Sequence, residues 1–266
     1  MSIEQIWGKI IEAFPSIKWI VKIIVKYWPR FLRGAAVTLY ISIIGTVAGF
    51  IIGLLAGMIR TIPMPERGLK KVLLKIVNII LAIYIEVFRG TPMIVQAMVI
   101  YYGSALAGYE MDRMFAGILI VSINTGAYMS EIIRGGIISI DRGQYEAAQA
   151  VGMNHIQTMI NVVLPQAIRN ILPATGNEFV INIKDTSVLN VISISELYFQ
   201  TSSIAGINFR FFESFFVASV LYFVMTFTVT RILRRVERKL DGPENYVLYA
   251  NQMQVHPPED RLILNK

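Results

Sequence analysis

Residues 32–58 form an almost unbroken apolar run, opened by Arg33 and ended by Arg60, in which Gly45, Gly49, Gly53 and Gly57 recur every four residues. Coiled into a helix at 1.5 Å per residue, such a run measures about 40 Å, enough to cross a hydrocarbon layer roughly 30 Å thick. Residues four apart share one helix face. The four glycines therefore draw a stripe of bare backbone along which a second helix can approach closely, and in lipid it is packing rather than hydrophobicity that drives such association. Glycine scattered through a span is common, but four in register favour close packing over chance. The stripe does not identify its partner helix.

The totals agree with a membrane class. Of 266 residues 55% are hydrophobic and 16% charged, whereas a soluble domain carries roughly a quarter charged residues. A net charge of +7 would suit nucleic acid, but in so apolar a chain it points to basic loops held on the cytoplasmic side of spans. Cysteine is absent, which excludes a disulfide framework, a thiolate metal site and a thiol nucleophile. His155 and His256 are far apart in sequence and give no grounds for a metal site. There is no phosphate loop of the G-x-x-x-x-G-K-[ST] type, no G-x-S-x-G and no H-E-x-x-H, so neither ATP hydrolysis nor covalent catalysis is expected of this chain. Lys18, Lys22 and Lys26 interrupt the only candidate signal core, so no cleavable signal is expected.

Taken in order, the chain reads as an all-α membrane protein. Residues 14–30 set Lys18, Lys22 and Lys26 on one side of a helix that would lie in the interface, closed by Pro29. The glycine-striped span follows, then a basic loop with Pro63, Pro65, Arg67, Lys70 and Lys71. Residues 72–102 are apolar for longer than one straight span requires, so they read as an interfacial approach helix, a kink at residues 89–92 and a span to about Gly103. Residues 114–133 form the next span and residues 167–183 another. Residues 184–206 are mixed and suit a short external or re-entrant segment. Residues 211–232 make the last span, stopped by Arg231, Arg234, Arg235, Arg238 and Lys239. This gives about five spans, with the N-terminus outside and the C-terminus cytoplasmic. It also gives three parts: an interfacial segment (1–31), a transmembrane domain (32–240) and a hydrophilic tail (241–266).

Ionisable groups at membrane depth cost at least ~2.5 kcal/mol each, so they pair or mark a pathway. Glu86 with Arg89, and Glu131 with Arg134, are three apart and can pair on a helix face. Asn124 and Tyr128, one turn apart, form a polar stripe that either lines a cavity or joins helices. Asn177, Glu178, Lys184, Asp185 and Thr186 are a third polar group, which could equally be a solvated helix end. The candidate substrate contacts are thus Glu86, Arg89, Asn124, Tyr128, Glu131, Asn177 and Lys184.

Residues 146–165, EAAQAVGMNHIQTMINVVLP, are the least membrane-like stretch between the first and last spans. They read as two short helices meeting at Gly152, with Pro165 opening the next span, where a first-turn proline is tolerated. A helix-turn-helix is the competing reading, but spans flank the stretch directly and leave no soluble core to present a recognition helix to DNA. Glu146-Ala147-Ala148, Gly152 and Leu164-Pro165 resemble the EAA loop of ABC importer permeases, E-A-A-x3-G-x9-I-x-L-P, with Val162 in place of isoleucine. Phe88-Arg89-Gly90-Thr91-Pro92, residues 131–137 (EIIRGGI), Gly143-Gln144 and Lys184-Asp185-Thr186-Ser187 are similar to the polar amino acid subfamily, of histidine, glutamine and arginine permease type, over residues 33–240.

The resemblance implies a type I permease subunit in a bacterial cell membrane, dimerised with a like or unlike subunit. Its partners would be cytoplasmic ABC ATPase subunits and an external solute-binding protein, and its cargo a polar amino acid. ATP and Mg would be bound by the partner, with no cofactor or metal on this chain. Glu146, Ala147, Ala148, Gln149, Gly152, Leu164 and Pro165 would then couple ATPase closure to alternating access. The alternative is an ion-coupled secondary transporter or channel using Glu86, Arg89 and Glu131.

Overall fold

The computed structural model describes residues 15–241; both outer ends of the expected interfacial segment and hydrophilic tail lie outside them. In chain order the helices are α1 (Pro15–Ile59), α2 (Leu69–Gly90), α3 (Met93–Leu106), α4 (Arg113–Ile138), α5 (Arg142–Ala150), α6 (His155–Thr158), α7 (Leu164–Asp185), α8 (Leu197–Asn208) and α9 (Phe211–Asp241). A π turn (Met159–Val163) joins α6 to α7, a 3-10 turn (Thr186–Ile192) follows α7, and no strand occurs among the described residues.

The partner of the glycine stripe is α4. A Cβ added at Gly45 would strike Val121, at Gly49 Thr125, at Gly53 Met129 and at Gly57 Ile133. Each step of four on α1 is matched by a step of four on α4, so the two helices run side by side through this length in constant register. At Gly53 the added carbon would lie 2.8 Å from the Met129 carbonyl carbon and 2.9 Å from the Ser130 nitrogen. Backbone cannot yield as a side-chain tip can, so only glycine fits there.

Pro29 does not close a helix. It lies inside α1, which runs unbroken from Pro15 to Ile59, although proline removes one backbone donor and crowds the preceding turn. Tertiary packing outweighs that cost: Ile23, Tyr27 and Phe31 are buried against Leu197 and Ile204 of α8 and Val217 of α9. Arg30 donates to Gln200 Oε1 at 2.9 Å and to Ser203 Oγ at 2.8 Å. Lys18, Lys22 and Lys26 keep to an exposed side, as their spacing requires.

The break expected at residues 89–92 is present, with Thr91 extended (φ −121, ψ 145) and Pro92 preceding α3. The two sides of the break differ in length. The 14-residue α3 reaches only about 21 Å, whereas the 22-residue α2 reaches about 33 Å. By length α2 is the element able to cross, despite carrying Lys75, Glu86 and Arg89. Among the described residues three helices are both long and apolar enough to span a membrane: Ser16–Ile59, Arg113–Ile138 and Phe211–Lys239. The mixed region after Lys184 is helical, as the 3-10 turn and α8, and the last helix continues past Ile232 to Asp241.

Gly53→Ala is expected to destabilise the protein by about 1–3 kcal/mol, the usual cost of overpacking, seen as a lower midpoint in thermal unfolding of the purified chain. Gly103→Ala, where nothing lies within 4 Å, is the control and should leave the midpoint nearly unchanged. Equal shifts from the two would mean that α1 and α4 are not in such close contact.

Candidate functional site

Two groups of residues stand out from the scaffold, a knob between α4 and α7 and a polar seam along α4. The knob begins where Asp141 caps α5 by accepting from the Gly143 N–H at 2.7 Å. Helix α5 ends after Ala150, and Gly152 turns the chain with φ +83. Asn154 and Gln157 then form a reciprocal capping box at 2.9 and 3.0 Å, which satisfies two otherwise orphaned donors at the start of α6. The expected turn at Gly152 is therefore real. The second helix is not separate, since α6 passes through the π turn directly into α7, with Pro165 in the first turn of the regular helix.

The base of the knob is built into the bundle. Ile140, Met159, Val163 and Ala167 are buried with Met129, Ile133 and Ile137 of α4 and Ile171 of α7. Tyr145 donates to the Ile137 carbonyl at 3.3 Å, and burial pushes its phenol above the usual tyrosine range, which keeps it a donor. Ala148 is 3% exposed and faces this interior rather than outward, while Ala147 is exposed. Glu146, Gln149, Gly152 and Pro165 are exposed and Leu164 is half-buried. Beside them Val151, Ile156 and Ile160 are 74%, 68% and 58% exposed. This apolar patch on an otherwise polar segment marks a contact surface, and the sequence reading did not single it out.

The seam is held by α4. Asn124 donates to Gln96 Oε1 at 3.0 Å and to the Phe88 carbonyl at 3.3 Å. Gln96 in turn donates to the carbonyls of Phe88 and Thr91 and to Thr91 Oγ1, each at 2.9 Å. The two amides thus bond the carbonyls freed where α2 stops, so Asn124 joins helices. Tyr128, one turn on, lies under the Arg89 guanidinium, 5.4 Å from ring centre to Cζ.

The two expected ion pairs part company. Glu131 does pair with Arg134, at 3.1 Å, and also with Arg60 at the end of α1. It clamps α1 to α4 below the glycine stripe. Glu86 and Arg89 do not pair: both are exposed, and the ion pairs among the described residues fall elsewhere. Asn177 is half-buried and Lys184 exposed, the latter in a groove between α7 and α9. Arg89 and Tyr128 are thus drawn together, whereas Glu131 and Lys184 belong to other parts of the molecule.

Asn182 went unnoticed in the sequence. Buried, it donates to Thr46 Oγ1 at 2.8 Å and to Thr125 Oγ1 at 2.9 Å, tying α7 to both α1 and α4. An amide inside an apolar span, opposite threonines on small-residue faces, is the signal that would have found it. Glu196 is another: wholly buried, it accepts from the backbone of Tyr198 and Phe199 at the start of α8 and from the Tyr222 hydroxyl at 3.1 Å. Among the described residues no group of three or more His, Cys, Asp or Glu is placed to hold a metal ion.

The fold is thus a helical bundle with long apolar helices and a capped two-helix knob set between α4 and α7. Residues 49–242 match the family of binding-protein-dependent transport system inner membrane components, and the chain belongs to that family. The glutamine transport system permease protein GlnP of Escherichia coli (strain K12) is 40% identical over 214 residues, 80% of this chain and 93% of that one. The arginine transport system permease protein ArtQ of Bacillus subtilis (strain 168) is 34% identical over 213 residues, again 80% and 93% of the two chains. A crystal structure of an amino acid ABC transporter with histidines matches with a TM-score of 0.70 at 38% identity, over 81% of this chain and 96% of that one.

Asn124→Ala should lower stability by about 1–3 kcal/mol, because it leaves the buried Gln96 Oε1 without its donor, and should reduce uptake as well. Arg89→Ala should reduce uptake while changing stability by less than about 1 kcal/mol, the worth of an exposed cation–π contact. Thermal unfolding and proteoliposome uptake, measured on both variants, separate the two roles; equal loss of stability would make Arg89 a packing residue.

Proposed function

We propose that the chain is the permease subunit of an ATP-driven importer of a polar amino acid in the bacterial inner membrane. The cargo class rests on the names of its relatives, and the seam adds an exposed cation, Arg89, that suits a carboxylate. In this reading the chain crosses the membrane five times, with the N-terminus outside and the knob and C-terminus in the cytoplasm. Residues 1–31 form an outer segment, 32–240 the transmembrane domain and 241–266 a cytoplasmic tail. Two such subunits, like or unlike, line the pathway. A separate ABC ATPase binds ATP and Mg, and an external solute-binding protein delivers the cargo.

The observation that carries this reading is the knob, which combines an exposed contact surface with a buried root. Its outer face presents Glu146, Gln149, Val151 and Ile156 to a partner, and Ala147 leaves room for close approach. Its root shares one core with α4 and α7. A push on the outer face therefore shifts packed helices as bodies rather than bending a loop, which is what alternating access requires. Glu86, Arg89, Asn124, Tyr128, Glu131, Asn177 and Lys184 remain the candidate substrate contacts in this reading, with Arg89 and Tyr128 foremost on geometry.

The decisive experiment is reconstitution with the ATPase and binding protein, measuring which amino acid stimulates ATP hydrolysis and uptake together. Uptake that needs a proton or sodium gradient and persists without the ATPase would instead establish secondary transport. In the same system Gly152→Val is expected to insert normally but to lower the ratio of uptake to ATP hydrolysed, since a β-branched residue is strained at φ +83. Gly152→Asn, which tolerates positive φ better, should be milder. Unaltered uptake in Gly152→Val would remove the turn from the mechanism.

A further inference from the structure

Helix α9 carries a feature that neither the knob nor the seam uses. Phe212, Phe216, Val220, Phe223 and Phe227 recur at steps of three and four along it, between 45% and 68% exposed. Such spacing places them on a single face. Arg231 and Arg234 continue the same stripe by one step of four and one of three. From Phe216 to Phe227 the stripe covers about 17 Å, close to half of a ~30 Å hydrocarbon layer and so about the depth of one acyl chain. It ends in a groove of about 340 Å³ between α7 and α9, where Lys184 joins Arg231 and Arg234 beside Phe223, Phe227 and Thr230.

The groove is basic and none of its lining residues is acidic. Neither arginine is in an ion pair, since the pairs among the described residues lie on Glu131 and Glu213. Arg231 is held over the Phe227 ring at 4.9 Å, so one cation is already placed at the point where the apolar stripe stops. An apolar track that ends in two guanidinium groups outside the carboxylate pairs of the described residues, one of them held over Phe227, is complementary to an anionic amphiphile. A second copy of the chain fits less well, because two copies meeting through this face would bring their arginines together across the contact.

We propose that this groove binds the headgroup phosphate of an anionic phospholipid, with one acyl chain lying along the α9 stripe. The two arginines hold the phosphodiester and Thr230 offers a hydroxyl. The occupant is a lipid rather than a free anion, because the phosphate site and the apolar track are continuous.

Native mass spectrometry of the full-length protein in a mild detergent, titrated with phosphatidylglycerol or phosphatidylcholine, tests this. Wild type is expected to hold one phosphatidylglycerol roughly 25-fold more tightly than phosphatidylcholine, about five-fold for each of the two arginines. Arg231→Gln with Arg234→Gln should abolish the preference, and lysine at both positions should restore most of it. Equal binding of the two lipids by wild type would overturn the proposal, as would normal phosphatidylglycerol binding by the glutamine double variant. Displacement of the lipid by millimolar inorganic phosphate would show a free-anion site and also overturn it. So would a change in oligomeric mass with lipid binding intact, which would assign the face to a subunit contact. If the glutamine variant cannot be purified, wild type and the lysine variant decide the question through the same lipid comparison.

Discussion

The absence of four side chains on α1 is the constraint on which the rest of the molecule depends. Because Gly45, Gly49, Gly53 and Gly57 carry no Cβ, the backbone of α1 rests directly on α4 from Val121 to Ile133. Helices in lipid gain little from hydrophobicity when they associate, so close contact and dispersion must supply the attraction. The close approach also sets up the polar links that follow. It brings Thr46 within reach of Asn182, 136 residues away, and Arg60 within reach of Glu131. Each link joins α1 to the part of the bundle that carries the knob or the seam.

These links have a mechanical consequence. Asn182 bonds α7 to α1 and α4 at one level, while Met159, Val163 and Ala167 pack the root of the knob against α4 at another. Two separated attachments fix a helix's direction as well as its position. The π turn between α6 and α7 is the one irregular step in this path, and such insertions recur where helices carry function. A force on the outer face of α5 and α6 thus meets a stiff lever with a single adjustable joint near its base.

What was legible in the sequence was local. The glycine period identified a face, Gly152 a turn and Pro92 a break, because each depends on backbone geometry within a few residues. Glu131–Arg134 was legible for the same reason, being three apart. The partner of the glycine stripe, the second cation on Glu131 and the Asn182 junction were not, since each depends on residues brought together from far along the chain. Pro29 shows the opposite failure: the local rule predicts a helix end, but Ile23, Tyr27 and Phe31 on one side of it pack well enough to carry the helix through.

Polar groups in the bundle divide by whether their own chain already satisfies them, and that division separates scaffold from pathway. Asn182, Gln96, Asn124 and Glu131 all find partners within the chain, across helix boundaries, and their removal would leave buried groups unpaired. Arg89 differs, being exposed, free of any carboxylate within ion-pair range, and steadied only by the Tyr128 ring. A cation at membrane depth is costly unless something compensates its charge. The Tyr128 ring takes up none of the hydrogen-bonding capacity of the guanidinium, which stays unspent. A carboxylate arriving in the pathway could use that capacity without breaking any bond that holds the bundle together, so cargo can bind and leave while the scaffold stays intact.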